Sequence, residues 1–298
     1  MTSASVERIE QGSLTCWSLR FNNSKLLIAQ QGAQVLSYGH EGDRPIIWLS
    51  EEAELEPGNS VRGGVPVCWP WFGDLQRNPR SIQAMHQQPQ QASAHGLVRS
   101  IDWSLAGIEQ HEQAACISFS YNTLEQPLAH WPHAAELRLT VRLGERLSIS
   151  LACRNLGERP LSFSQALHTY FAVSDIQTVS VKGLEDCDYI ETLDNWQTRT
   201  QSGALHFSGE TDRIYLHTPA KLQIFDPGWQ RTINLLSRGS ESAVVWNPWV
   251  DKARRLSQFN DAAWQRMLCI EHANVLEDMV TLAPASEHQL HLDIWVEK

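Results

Sequence analysis

Four stretches hold side chains able to act on a substrate: RGGVPVCWPWFG (62–73), HGLVR (95–99), LSFSQALHTYF (161–171) and RMLCIE (266–271). A histidine that titrates near neutrality, His168, can donate or accept a proton. Glu271 closes an apolar run, on the same face as Met267 and Cys269. Burial there would raise its pKa and strengthen it as a base. One His and one Glu suffice for general acid–base catalysis without a metal. Arg62 and Arg99 offer planar cations suited to phosphate or carboxylate. Trp69, Trp71 and Phe72 offer wide apolar faces of the kind on which sugar C–H faces pack. Each residue also has a plain structural reading. His168 could be a hydrogen-bonded strand histidine, Glu271 a side chain reaching solvent where its strand ends, and the tryptophans the plug of a buried loop.

Other histidine and cysteine patterns lead nowhere. His130 and His133 flank Pro132, which spoils a helix, and no third ligand follows. His288 and His291 fall on opposite faces of a strand. The glycine-rich nucleotide loops, HExxH and GxSxG are missing, so nucleotide binding by those routes, zinc proteolysis and α/β-hydrolase chemistry have no support. The six cysteines form no CxxC pair and read as reduced core residues.

The elements that must position these groups are strands. In Ala135–Leu143, Leu137, Leu139, Val141 and Leu143 share one face, while Arg138, Thr140 and Arg142 share the other. Arg146–Cys153 and Leu290–Val296 alternate likewise. Shorter runs are expected at Leu27–Ala29, Ile46–Leu49, Cys116–Tyr121, Leu161–Leu167, Ile214–His217, Leu222–Phe225, Ala243–Trp246 and Met267–Ile270. In Leu161–Leu167 the alternation puts His168 on the small, polar face, over which a groove could form. Helical periodicity is confined to Asp251–Phe259 and Asp261–Met267. Many short strands with few helices predict a large antiparallel sandwich or barrel. Asn59–Arg99 and Asn247–Trp264 lack strand character, and long irregular segments inside a compact β fold are usually functional loops.

Composition narrows the partners. With 42 % hydrophobic and 19 % charged residues the chain is an ordinary globular one. Its net charge of -10 argues against a sequence-independent grip on nucleic acid or anionic membrane. The first residues show no basic region and no apolar stretch, so a cytoplasmic protein is expected. Neither a repeat nor a linker divides the 298 residues, and one domain spanning 1–298 is expected.

RGGVPVCWPWFG, HGLVR, LHTYF, VWNPW and CIEHANV together resemble, in order and spacing, the aldose 1-epimerase-like family, and most of all its hexose-6-phosphate mutarotase branch. The resemblance covers nearly the whole chain. It implies an all-β fold, a β-supersandwich of the galactose-mutarotase type, with the active site in a groove over one sheet. It further implies His168 and Glu271 as the catalytic pair, Arg62 and Arg99 as sugar-phosphate ligands, and Asp212 in GETDRIY as a sugar contact. Some relatives carry glutamine just before HG; here that position is Ala94, so one ligand hydrogen bond is either missing or supplied instead by His95. Trp71 is named as a sugar contact, with Trp69 and Phe72 as alternatives for the aromatic that packs on sugar. The implied substrate is a hexose 6-phosphate, the implied chemistry an anomer exchange needing no cofactor, and the expected state a monomer. An epimerase of free sugars and a non-catalytic carbohydrate-binding protein remain alternatives. A glycoside hydrolase would need two facing carboxylates, and the motifs supply one.

Overall fold

The computed structural model describes residues 4–298. Alternation along the chain becomes alternation of burial: in Ala135–Leu143 and Leu147–Asn155 every second residue is inside. Such strands bury one face and so must stack against a second sheet. Two large sheets result, one of 13 strands and one of nine, and neighbouring strands pair antiparallel throughout. Leu19, Ile28, Phe171 and Ile270 of the first sheet share one core with Phe119, Leu139, Ile149 and Leu292 of the second. This is the all-β sandwich expected.

The 13-stranded sheet is organised about Met267–Asn274, whose eight residues are all buried. Ser242–Asn247 pairs along one edge of this central strand. Along its other edge lie two short strands, Gln165–Leu167 and Tyr170–Ala172. Beyond Ser242–Asn247 comes Thr211–Leu216, then Asp188–Glu191 and Gln197–Thr200.

Three expectations need correction. The run Leu161–Leu167 is not one strand. It divides at Ser164: Leu161–Phe163 pairs with Val280–Leu282, and Gln165–Leu167 pairs with the central strand. The Ser164 hydroxyl donates to Asn78 and accepts from the Phe72 amide, so the chain turns there to meet a loop. The helices are shorter than the periodicity suggests. Trp249–Ala253 is helical, Ala263–Arg266 is a single 3₁₀ turn, and turns join them. Glu271 does not end its strand, which runs three residues further, and the carboxylate stays 2 % exposed.

All six cysteines are unbridged and four are buried. No helix among the described residues is long and apolar enough to cross a membrane.

Candidate active site

The run 62–73 follows an irregular path because of what it must pass. Gly64 has φ +72°, and a Cβ there would lie 2.2 Å from the Val35 carbonyl oxygen. Only glycine lets the chain approach that strand so closely. The Gly64 amide then donates to Trp48, and the Ser50 amide donates to the Arg62 carbonyl. From Gly64 to Pro70 the run lies alongside residues 164–170. The amides of Tyr170, His168 and Ser164 donate to the carbonyls of Gly64, Pro66 and Pro70, and Val67–Cys68 pairs with Ala166 and Leu167. Gly96 makes the next junction: its φ is +77°, and a Cβ would lie 2.0 Å from the Trp69 carbonyl oxygen. HGLVR is thereby held against the same run.

These contacts surround a cavity of about 480 Å³ over one face of the 13-stranded sheet. Arg62, His95, His168, Asp212 and Glu271, drawn from five separate segments, all line it. His168 Nε2 lies 3.4 Å from Glu271 Oε1, with both side chains less than a tenth exposed. The His168 ring stacks on Tyr170 with centroids 4.8 Å apart and planes 8° from parallel, which fixes its tilt. Glu271 Oε2 and His168 Nδ1 are buried and have no hydrogen-bond partner among the described residues.

Burial moves the two groups toward each other. Desolvation, reinforced by the Asp212 charge, holds the Glu271 carboxyl well above the usual carboxylate range. Desolvation, with His95 and the Arg99 and Arg62 charges, holds His168 well below the usual imidazole range. Both shifts favour the uncharged forms of the pair, a protonated carboxyl beside a neutral imidazole. His95 is pushed down to about 3 by desolvation and by Arg99 and Arg62. It is neutral at pH 7, and its Nδ1 accepts from the Gly73 amide, leaving the ring proton on Nε2.

On the far wall one cation stands between two carboxylates. Lys252 Nζ lies 3.2 Å from Glu210 and 4.0 Å from Asp212. Burial raises the Asp212 pKa, and Lys252 and Thr192 oppose that rise. His168, Cys269 and Glu271 also offer three ligand atoms within 4.8 Å of one another. Such N, S and O donors suit zinc, but only with an ionised thiol. Burial and the Glu271 charge hold the Cys269 thiol well above its ordinary range, so at neutral pH it stays an uncharged thiol.

Two expected residues stand elsewhere. Trp71 is 1 % exposed; its Nε1 donates to the Ser93 carbonyl and its ring meets His86 edge-on. It belongs to the core, as does Trp69, which packs against Trp131. The aromatic of that run that reaches the cavity is Phe72. Arg99 is outside the cavity lining, and its guanidinium donates to the Ala94 carbonyl. Its charge still acts on His95, His168 and Glu271. Sequence reasoning missed Tyr170 and Trp246, although two-residue spacing places Tyr170 on the His168 face and Trp246 lies in VWNPW, one residue before its strand ends. Lys252, Arg77 and Trp196 carried no such signal.

A family model described as aldose 1-epimerase matches residues 15–295. The chain belongs to that family. A relative from Cenchrus ciliaris, "Putative glucose-6-phosphate 1-epimerase", is 36 % identical to this family member over 266 residues, covering 86 % of this chain and 76 % of its own. One of the same description from Escherichia coli (strain K12) is 31 % identical over 253 residues, covering 85 % and 81 %. Among solved structures, a "putative mutarotase (YeaD)" from Salmonella typhimurium superposes with a TM-score of 0.88 at 26 % identity, covering 98 % of this chain and 94 % of the other. A galactose mutarotase-like protein from Clostridium acetobutylicum shares the fold, with a TM-score of 0.73 at 14 % identity and 99 % of each chain covered.

Proposed function

We propose that this epimerase-family chain interconverts the α and β anomers of hexose 6-phosphates, with residues 1–298 acting as one domain. The observation that carries the reading is the His168–Glu271 pair, 3.4 Å apart on a cavity that Arg62 also lines. The names of the relatives from Cenchrus ciliaris and Escherichia coli support the phosphorylated substrate.

Anomer exchange requires the hemiacetal ring to open, the C1 aldehyde to rotate and the ring to close on its other face. Glu271 takes the proton of the C1 hydroxyl as the C1–O bond becomes a carbonyl. His168 gives its proton to the ring oxygen as the C1–O5 bond breaks. One proton leaves substrate and one arrives, so ring opening leaves the charge of the sugar phosphate unchanged. Reclosure runs with the roles reversed and restores both groups. The active form, carboxylate with imidazolium, has the same proton count as the neutral pair and is reached by one proton shift between them. Each group contributes about 10²–10⁴-fold. Asp212 accepts from a sugar hydroxyl, the neutral His95 donates through Nε2, and Arg62 supplies a charge-assisted bond to the phosphate.

Polarimetry or exchange NMR of anomer interconversion tests this. The protein is expected to accelerate exchange for glucose 6-phosphate well beyond that for glucose, and His168→Asn to remove most of the acceleration. Equal acceleration for both sugars would show an epimerase of free sugars, and binding without acceleration a carbohydrate-binding protein.

A further inference from the structure

The approach of His168 to Glu271 is a matter of strand register. Gln165, Ala166 and Leu167 stand opposite Asn274, Ala273 and His272, and Tyr170 and Phe171 stand opposite Cys269 and Leu268. One offset serves both stretches, and between them it sets His168 directly across from Glu271. The 3.4 Å separation of their side chains is a cross-strand neighbourhood of this kind. Yet the ladder is interrupted at that point. The His168 amide donates to the Pro66 carbonyl and the Thr169 amide to that of Leu167, neither of them on the central strand. Two strands of three residues flank the break, and each adds few ladder bonds to hold the offset. A slip of one residue would set Ile270 or His272 across from His168, and the pair would no longer share a face.

A side-chain bond stands at the start of the first stretch. Gln165 Nε2 donates to Asn274 Oδ1 over 3.0 Å, between two register partners that are 0 % and 2 % exposed. Alternation turns both away from the cavity, toward the nine-stranded sheet, three residues from His168 and from Glu271 respectively. Asn274 is itself fixed. Its Nδ2 donates to the Gly239 carbonyl and to Asp278, and its Oδ1 lies 3.1 Å from Nε2 of His288 on the strand Glu287–Glu297 of the second sheet. Gln165 Oε1, by contrast, is buried with no hydrogen-bond partner among the described residues. An amide with an unpaired buried acceptor costs stability that an apolar side chain of the same length would not. The best-attested role of such a group is to fix register, because its bond forms in one alignment only. Here a one-residue slip would bring Gln165 across from Ala273 or Val275, and neither side chain accepts a hydrogen bond.

We propose that Gln165 and Asn274 are positioning residues, whose buried side-chain bond pins the register that sets His168 opposite Glu271. The proposal rests on the epimerase reading above. Neither residue lines the cavity, so both act through the strands that carry the catalytic pair.

The test is a pair of kinetic comparisons on anomer exchange of glucose 6-phosphate. Gln165→Met keeps the length of the side chain and removes the bond. Its kcat is expected to fall about 10- to 100-fold, as for a small misplacement of reacting groups, with KM within about twofold of wild type. In a His168→Asn background the same substitution is expected to change kcat by less than about twofold, because the geometry it disturbs no longer serves a histidine. A mere loss of folded protein would lower kcat by the same factor in both backgrounds, and that result would overturn the proposal. So would an unchanged kcat in Gln165→Met. Gln165→Asn keeps the amide and shortens its reach; it should show the same pattern, and it carries the test if Gln165→Met does not fold. A wild type that accelerates no exchange would defeat the epimerase reading instead. The NMR signals of the His168 ring, identified by their loss in His168→Asn, then decide: displaced signals in the Gln165 variant support the pinned register, and unchanged signals overturn it.

Discussion

Glu271 and His272 are neighbours on the central strand, and both are about 2 % exposed. Alternation sends them to opposite faces. Glu271 stands beside Val244 on the cavity side. His272 stands between Leu167 and Ala243, both part of the core shared by the two sheets. Each loses hydration, yet the outcomes differ. Glu271 faces His168, so its upward shift and the downward shift of its partner leave one proton within reach of two groups. His272 has no hydrogen-bond partner at either ring nitrogen among the described residues, and burial alone pushes its pKa down to about 4. Burial of an ionisable group becomes chemistry only when a second group is held within reach of the same proton. Without one it is a cost to stability.

The largest effect that would break this comparison is on rate. Glu271→Gln keeps the shape and removes the base, so kcat/KM for anomer exchange should fall about 10²–10⁴-fold. A loss below tenfold would mean that another group takes the C1 proton.

Next comes acid stability. Unfolded His272 binds a proton near pH 6.5, and the folded residue resists protonation to about pH 4. Its contribution is intact above pH 6.5 and is lost as pH falls through that window. His272→Met should escape this loss, worth about 3 kcal/mol by pH 4 in chemical denaturation. Parallel pH profiles for variant and wild type would show that His272 is hydrated in the fold.

The smallest effect is again at Glu271. Its raised pKa means that the fold favours the protonated carboxyl, so its stabilising share is present at low pH and lost as pH rises through the folded value. Glu271→Gln has no such proton to lose. Its melting temperature should exceed that of wild type by about 2 °C or more above neutrality, with the gap closing toward acid pH. A gap that widens toward acid would show a carboxylate stabilised in its ionised form.

What could be read in the sequence follows the same division. His168 and Glu271 sit in a strand or at its end, where period two and a motif together are enough to assign a face, whereas Asp212 was reached through the resemblance alone. The interior strands of the nine-stranded sheet were legible for that reason. Ser104–His111 was not, because it lies at a sheet edge with almost every residue exposed and so shows no alternation. Ser164 hid the break in its strand, since a serine on the polar face looks the same whether it meets water or a loop. Trp71 misled because composition reports an aromatic but not the side of the loop on which it falls. Arg77 and Trp196 meet through turns set by caps and by left-handed residues, and those leave no period.

The central strand also has a consequence for synthesis. Residues 164–172 emerge about a hundred positions ahead of Met267–Asn274, and Ser242–Asn247 some twenty ahead. Until the central strand arrives, two sets of strands present open edges of the kind that recruit wrong partners. The groups that make the cavity reactive lie on both sides of that gap. A nascent chain halted before position 267 would hold His168 and Arg62 yet have no site, and would depend on chaperones to keep its edges apart.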